Sequence, residues 1–315
     1  MSLIVTFEDI WGPALEELAR RFPVARLDHA DPGLVPDAGT VSAAFVRNKT
    51  QVNEGFLTAL PQVAVVARVG VGLDNIDIPA ADAHGVVVVS PRGANAQSVA
   101  EHTLALALAV ARQVVVLDAT CRRGEWDRRP GLELAGGTWG LVGAGATGLA
   151  TASLARALGM TVLAHDPHVE DHVLARHGIE RASIDALASS SDVVSLHLPS
   201  TPQTIGLVGP DFLAAMKPRS ILVNVGRGEV IQEDALVNAL EGGHLAGAAL
   251  DVRALEPPVN GRLERLPQVV LTPHVGGITT QSQRRILDAV ADDVSRVLGG
   301  QSARHAVGGV DRMGG

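Results

Sequence analysis

The chain has 315 residues, with one cysteine, no tyrosine and few aromatic side chains. A single thiol, Cys121, excludes an intrachain disulfide and points to a reducing, cytoplasmic setting. Lysine and arginine form no run longer than a pair, and the net charge is −8. That balance argues against a nucleic-acid surface. The most apolar stretch, Thr103 to Ala111, is cut by Arg112 and Gln113 and falls far short of the roughly 20 residues a membrane span needs. It reads as a buried helix, and no membrane partner is expected. The first ten residues carry acids and too short an apolar run for a secretory signal, so they read as a strand.

The hydrophobic fraction, 46%, is ample for buried sheets, and the length suits two domains better than one. Short apolar or β-branched runs alternate with helical stretches almost throughout. This is the pattern of a parallel sheet with crossover helices on both faces. Strands are expected at Leu3–Phe7, Ala43–Val46, Val63–Val66 and Val86–Val89, with helices at Pro13–Arg21 and Asn53–Leu60. The rhythm repeats at Trp139–Val142, Val162–Ala164, Val193–Leu196, Ile221–Val223, Ala248–Leu250 and Val269–Leu271. The expected fold class is therefore α/β, with two doubly wound, Rossmann-like parallel-sheet domains.

Pro91–Asn95 marks the boundary between them. After it, one long helix is expected from about Ala96 to Arg123, apolar on most faces and so buried against more than one partner, in a homodimer or between domains. Thr280–Leu298 reads as a final amphipathic helix, and the glycine-rich tail from Gly299-Gly300 to Gly315 as fraying.

One segment has a mechanical meaning. A strand runs directly into Gly143-Ala144-Gly145-Ala146-Thr147-Gly148, and Leu149–Gly159 then reads as a helix. The first glycine allows the tight turn, the second a close approach of backbone to a pyrophosphate, and the third close packing of helix on strand. Asp166 follows the next strand, where a carboxylate accepts from ribose hydroxyls and repels a 2′-phosphate, so NAD is favoured over NADP; a cap before Pro167 is the plainer alternative. Downstream come Asn224-Val225-Gly226-Arg227-Gly228, Leu255-Glu256-Pro257-Pro258 and Thr272-Pro273-His274-Val275-Gly276-Gly277. The guanidinium of Arg227 can clamp a carboxylate through two parallel hydrogen bonds. His274 can exchange a proton near neutral pH, and Glu256 can hold its imidazole in one tautomer. Redox chemistry on a 2-hydroxy or 2-oxo acid needs this set.

With these motifs the chain resembles the D-2-hydroxyacid dehydrogenase family, and within it the phosphoglycerate dehydrogenase branch. Further matches are Val46-Arg47-Asn48-Lys49-Thr50, Arg68-Val69-Gly70-Val71-Gly72-Leu73-Asp74-Asn75-Ile76-Asp77, and Ala94-Asn95 with Ser98-Val99-Ala100-Glu101-His102. The resemblance implies a discontinuous substrate-binding domain, residues 1–94 and 279–315, an inserted NAD-binding domain, residues 95–278, and an active site in the cleft between them. It implies that Arg227 binds the substrate carboxylate and carbonyl, that Glu256 pairs with His274, and that His274 transfers the proton as hydride moves between C2 and the nicotinamide. It places the Val71-Gly72 backbone at the substrate carboxylate, and Arg47 and Arg68 near a substrate phosphate. Asp251 corresponds to the residue that holds the nicotinamide carboxamide. Leu198, Thr204, Val225, Gly276 and Gly277 correspond to positions lining the cofactor, beside Gly143, Gly145, Ala146, Thr147, Gly148 and Asp166. No metal is implied.

The chain departs from the pattern in two places. Arg253 and Ala254 stand where the family often has an aromatic and an acid, and Ala146-Thr147 where an arginine and an isoleucine are common. The expected substrate is a small anionic 2-oxo or 2-hydroxy acid, with 3-phosphoglycerate, glyoxylate and hydroxypyruvate the candidates. Formate dehydrogenases share the architecture, but an amide partners their catalytic histidine. A dinucleotide-sensing, corepressor-like binding protein is the alternative of another class.

Overall fold

The structure is a computed structural model and is described for residues 2–310. In chain order its elements are β1 (Leu3–Thr6), α1 (Pro13–Ala19), β2 (Val24–Arg26), β3 (Val41–Val46), α2 (Glu54–Ala59), β4 (Val65–Arg68), α3 (Ile78–Ala83) and β5 (Val87–Val89). Then come α4 (Ala96–Ala111), α5 (Val114–Arg122), β6 (Thr138–Val142), α6 (Ala146–Ala157), β7 (Thr161–His165), α7 (Asp171–Arg176), β8 (Glu180–Arg181), α8 (Ile184–Ser190) and β9 (Val193–Leu196). The series ends with α9 (Pro210–Ala215), β10 (Ile221–Asn224), α10 (Glu233–Glu241), β11 (Gly247–Leu250), β12 (Val269–Leu271), α11 (Thr280–Leu298) and β13 (Ala306–Val307). The chain divides into two compact units, Met1–Asn95 with Ile278–Gly315, and Ala96–Gly277.

In the first unit a six-stranded sheet has the order β13-β5-β4-β3-β1-β2, parallel except for β13, which runs antiparallel to β5. Successive side chains on a strand point to opposite faces, so each buried strand feeds two cores. Ile4, Phe45, Val65 and Ala67 join one, against Ile286, Val290 and Val294 of α11. Val5, Ala44, Val46 and Val66 join the other, against Phe56 and Leu57 of α2. A capping box at Thr279 and Ser282 starts α11.

In the second unit seven parallel strands have the order β12-β11-β10-β9-β6-β7-β8. The alternation is the same. Leu141, Val193, Ile221 and Val223 face the core that holds Leu106, Ala107 and Val110 of α4 and Ala152 and Ala155 of α6. Val142, Val194 and Leu222 face Leu187, Leu213 and Leu236 from α8, α9 and α10. The strand order reverses direction between β6 and β9, which makes the carboxyl end of β6 a topological switch point where ligands bind in such sheets.

Two expectations need correction. The helix expected over Ala96–Arg123 is two helices, bent by 61° where Arg112 and Gln113 interrupt the apolar run. Gln113 there adopts a left-handed backbone, φ 52°. The glycine-rich tail does not fray through residue 310. β13 pairs with β5, the Asp82 carboxylate accepts from the amides of Gly309 and Val310, and the buried Asp293 carboxylate accepts from those of Arg304 and His305. Residues 311–315 lie outside the described residues. No single helix among the described residues is long and apolar enough to cross a membrane.

Candidate functional site

The sequence-selected residues of the second unit gather on one edge of its sheet, because every loop that carries them follows the carboxyl end of a parallel strand. Gly143–Gly148 follow β6, Asp166 follows β7, Leu198 follows β9, Val225–Gly228 follow β10, Asp251 follows β11 and Thr272–Gly277 follow β12.

At the switch point Gly143 has φ 96°, a conformation glycine adopts without cost. Gly148 is forced by space, since a Cβ there would lie 2.3 Å from the Gly143 carbonyl oxygen. Gly145 differs: a Cβ there would meet nothing within 4 Å. It opens α6, which starts at Ala146 and so takes Thr147 and Gly148 into its first turn, and no side chain caps it. First-turn amides without a cap beside open space are a ready anion site. The Asp166 carboxylate accepts from the amide of Ala144 at 2.8 Å and from that of His168 at 2.9 Å, tying the glycine loop to the end of β7 instead of capping a helix. Leu198 packs beside Gly143 and Gly226, Val225 adjoins the α4 core, and Thr204 turns its hydroxyl onto Pro199 and the Thr201 amide within its own loop.

His197, beneath this loop, emerged only from the structure. Trp139 Nε1 donates to Ser195 Oγ at 2.8 Å, and the same hydroxyl is hydrogen-bonded to His197 Nε2 at 2.9 Å. Nδ1 of His197 is buried without a partner, and burial lowers the His197 pKa to about 4.

On the opposite side of the switch point, Glu256 Oε2 accepts from His274 Nδ1 at 2.8 Å, with both side chains partly exposed. This fixes the tautomer and leaves Nε2 for proton exchange. His274 has φ 55°, a costly conformation for a residue with a Cβ. Three backbone contacts hold it. The His274 amide donates to the Asp251 carbonyl at 2.7 Å, and the Asp251 carboxylate accepts from the amides of Val275 at 2.9 Å and Gly276 at 2.8 Å. Burial pushes the Asp251 pKa up, but hydrogen bonds from His102, Thr272, Val275 and Gly276 outweigh it and hold the pKa at about 2. Thr272 Oγ1 donates to Asp251 at 2.5 Å and accepts from His102 Nε2 at 3.0 Å. His102 and Thr272 were quoted in motifs without a role, and their contact spans 170 residues of sequence.

The glycines around Arg227 are required by backbone packing. A Cβ on Gly226 would lie 2.7 Å from the Leu198 carbonyl, and one on Gly228 would lie 1.9 Å from the Arg253 carbonyl carbon. They let backbone approach backbone, not a ligand. Arg227 Nη1 donates to the Gly226 carbonyl at 2.8 Å, and Asn224 pins the loop through the Gly226 amide and the Arg227 carbonyl.

Arg47, Arg68, Val71 and Gly72 belong to the first unit. Arg68 is turned inward, donating to the carbonyls of Gly72 at 3.0 Å and Val69 at 3.1 Å, and so shapes the Val71-Gly72 loop. Glu8 accepts from the amides of Arg47, Lys49 and Thr50 and from the Thr50 hydroxyl. Arg47 and Lys49 line a cavity with Glu8, Asp9, Asp28 and His29, and Arg47 Nε is buried without a partner. Lys49 had no expected role. No cluster of potential metal ligands occurs among the described residues.

Comparison with known proteins identifies the family of the chain. The family described as D-isomer specific 2-hydroxyacid dehydrogenase, NAD binding domain, matches residues 104–276. D-3-phosphoglycerate dehydrogenase of Mycobacterium tuberculosis is 44% identical over 275 residues, covering 87% of this chain and 52% of the relative. The enzyme of that name from Archaeoglobus fulgidus is 39% identical over 277 residues, covering 87% and 53%. The chain thus spans about half the length of these curated relatives. Among solved structures, an NADPH-dependent glyoxylate/hydroxypyruvate reductase of Sinorhizobium meliloti, bound to NADP and malonate, superposes with a TM-score of 0.87 at 31% identity, covering 99% of this chain and 98% of that one.

Proposed function

The chain belongs to the D-isomer specific 2-hydroxyacid dehydrogenase family, and from that premise we propose that it interconverts a D-2-hydroxy acid and its 2-oxo acid with NAD as the preferred cofactor. The observation that carries the reading is the Glu256–His274 hydrogen bond on the edge that also presents Arg227. When bound, the nicotinamide cofactor supplies or accepts the hydride. The uncapped first turn of α6, with Gly145, Ala146 and Thr147, would hold its pyrophosphate. Asp166 would hold its ribose, and Asp251, Gly276 and Gly277 its nicotinamide end.

Arg227 clamps the substrate carboxylate and polarises the carbonyl. His274 gives a proton from Nε2 to the C2 oxygen during reduction and takes it back during oxidation. Glu256 holds the Nδ1–H and steadies the ring as its charge changes. The substrate is small and anionic. Arg47 and Lys49 favour a second anionic group such as a phosphate, which places 3-phosphoglycerate ahead of glyoxylate and hydroxypyruvate. Arg68, with two N–H groups committed to loop carbonyls, acts by shaping the Val71-Gly72 backbone.

The working form in this proposal is a cytoplasmic homodimer. Val114 and Val115 of α5 and Trp126 expose large apolar area that a second copy would cover. Sedimentation at micromolar concentration should give about twice 32.6 kDa, and a monomer would overturn this part. The activity is tested with phosphohydroxypyruvate, hydroxypyruvate and glyoxylate, each with NADH and NADPH, reported as kcat/KM. Tight NADH binding with no turnover of any acid would favour a dinucleotide sensor.

A further inference from the structure

Arg253 stands where the family often has an aromatic, and the proposed chemistry does not use it. We propose that Arg253 is a positioning residue that sets the Glu256 carboxylate against His274 and seats the Arg227 loop; this rests on the site reading given above.

The guanidinium is about nine-tenths buried. Its Nε and Nη2 meet the two oxygens of Glu233 at 2.9 and 2.8 Å, and Nη1 pairs with Glu264. Glu233 opens α10 and also accepts from the Ala254 amide at 3.3 Å. Glu264 lies in a short 3-10 turn, Leu263–Arg265, and also accepts from the Gly261 amide at 2.7 Å. One side chain therefore fastens the loop after β11 to two other segments. Pairing with Glu233 raises the Arg253 pKa despite burial, and pairing with Arg253 lowers the pKa of both glutamates, so all three stay charged.

The Arg253 backbone is what reaches the chemistry. Its amide donates to Glu256 Oε1 at 3.0 Å, while Glu256 Oε2 meets His274. Its carbonyl carbon lies where Gly228 admits no Cβ, so the loop after Arg227 rests directly on it. A shift of the Arg253 backbone would therefore move the carboxylate and the clamp together. A fork bound to a carboxylate fixes orientation as well as distance, which a lysine ammonium does not.

The test is Arg253→Lys, alone and with Glu256→Gln. R253K should lower kcat for the best 2-oxo acid by about tenfold and raise its KM severalfold, because misplacement by a fraction of an ångström suffices. NADH affinity should stay within about twofold, and in the E256Q background R253K should lower kcat by clearly less than it does alone, because only its action through the Arg227 loop remains, while the rise in KM persists. Glu233→Gln should give the same pattern more weakly, and carries the test if R253K does not fold. A readout independent of turnover is the ¹⁵N resonance of His274 Nδ1, which reports its bond to Glu256 and should move in R253K toward its E256Q position. If the wild type reduces no 2-oxo acid, the proposed function fails, yet this resonance still decides the role of Arg253. Folded R253K and E233Q with wild-type kinetics and an unmoved resonance would overturn the inference. So would a kcat loss in E256Q/R253K equal to the product of the single losses.

Discussion

The two units carry parallel sheets with comparable carboxyl-edge loops, and they use their backbone amides in opposite ways. In the first unit the amides of Arg47, Lys49 and Thr50 converge on Glu8, an internal anion. In the second unit the first turn of α6 has no capping side chain and faces open space at Gly145. A filled nest leaves only side chains to recognise a ligand, whereas an empty one offers oriented amides to an external anion. The second unit also spends internal carboxylates, but on the loops around the site: Asp166 on Ala144, and Asp251 on Val275 and Gly276. The same sheet topology thus yields, in one unit, a cavity where Arg47 and Lys49 stand among the carboxylates of Glu8, Asp9 and Asp28, and in the other an edge with open first-turn amides.

The largest expected break of this contrast lies in the second unit. His274→Ala should lower kcat by roughly 10²–10⁴, the usual contribution of general acid–base catalysis, and leave NADH titration unchanged. Substitutions of Arg47 or Lys49 should act mainly on KM. Equal kcat losses from both units would erase the distinction.

The next effect is a pH dependence placed under the glycine loop. His197 is held at about 4 in the folded protein against about 6.5 unfolded, so the unfolded chain binds the extra proton between those values. The stability contributed by neutral His197 is present above pH 6.5 and is lost as pH falls toward 4, by up to about 3 kcal/mol. Urea melts of His197→Asn should be flatter across that window. A wild-type slope retained in the variant would assign the dependence elsewhere. Asp251 also has a lowered pKa, so its contribution is present above about pH 4 and is lost only as pH falls toward 2.

Glu8→Ala should empty the nest of the first unit, costing about 2 kcal/mol for amides left unpaired and weakening binding of a phosphorylated acid. Unfolding measurements and the KM for phosphohydroxypyruvate check both. The smallest effect is at Asp166. Asp166→Ala should narrow the preference for NADH over NADPH by about tenfold, the ~1.4 kcal/mol of one charge-assisted hydrogen bond. Equal wild-type affinity for the two cofactors would remove Asp166 from the ribose.

Much of this was legible in the sequence because it depends on local period and spacing. Short apolar runs between helical stretches marked the interior strands, and α11 was bounded by Thr279 and Gly299. The strands β2, β8 and β13 were not read, since they are only two or three residues long and take their identity from pairing. The break at Gln113 was not read either: Arg112 and Gln113 ended the apolar run but carry no glycine or proline to mark a bend. At the site, the residue types at Arg227, Glu256 and His274 were readable. The contact of His102 with Thr272 was not, because it joins segments 170 residues apart; nor were those of Arg253 and His197, which depend on how their loops fold and what buries them, or the backbone approaches that require Gly226 and Gly228.

The central claim is that the carboxyl edge of the second unit carries hydride chemistry at C2 of a D-2-hydroxy acid. The direct measurement is a turnover with stereospecifically deuterated [4-²H]NADH, one C4 epimer at a time, and hydroxypyruvate or phosphohydroxypyruvate, with the product examined by NMR and chiral chromatography. The account predicts deuterium at C2 of a D-configured 2-hydroxy acid from one epimer, and its loss in the His274→Ala protein. NADH that binds without being oxidised, or a product without deuterium at C2 from either epimer, would contradict it.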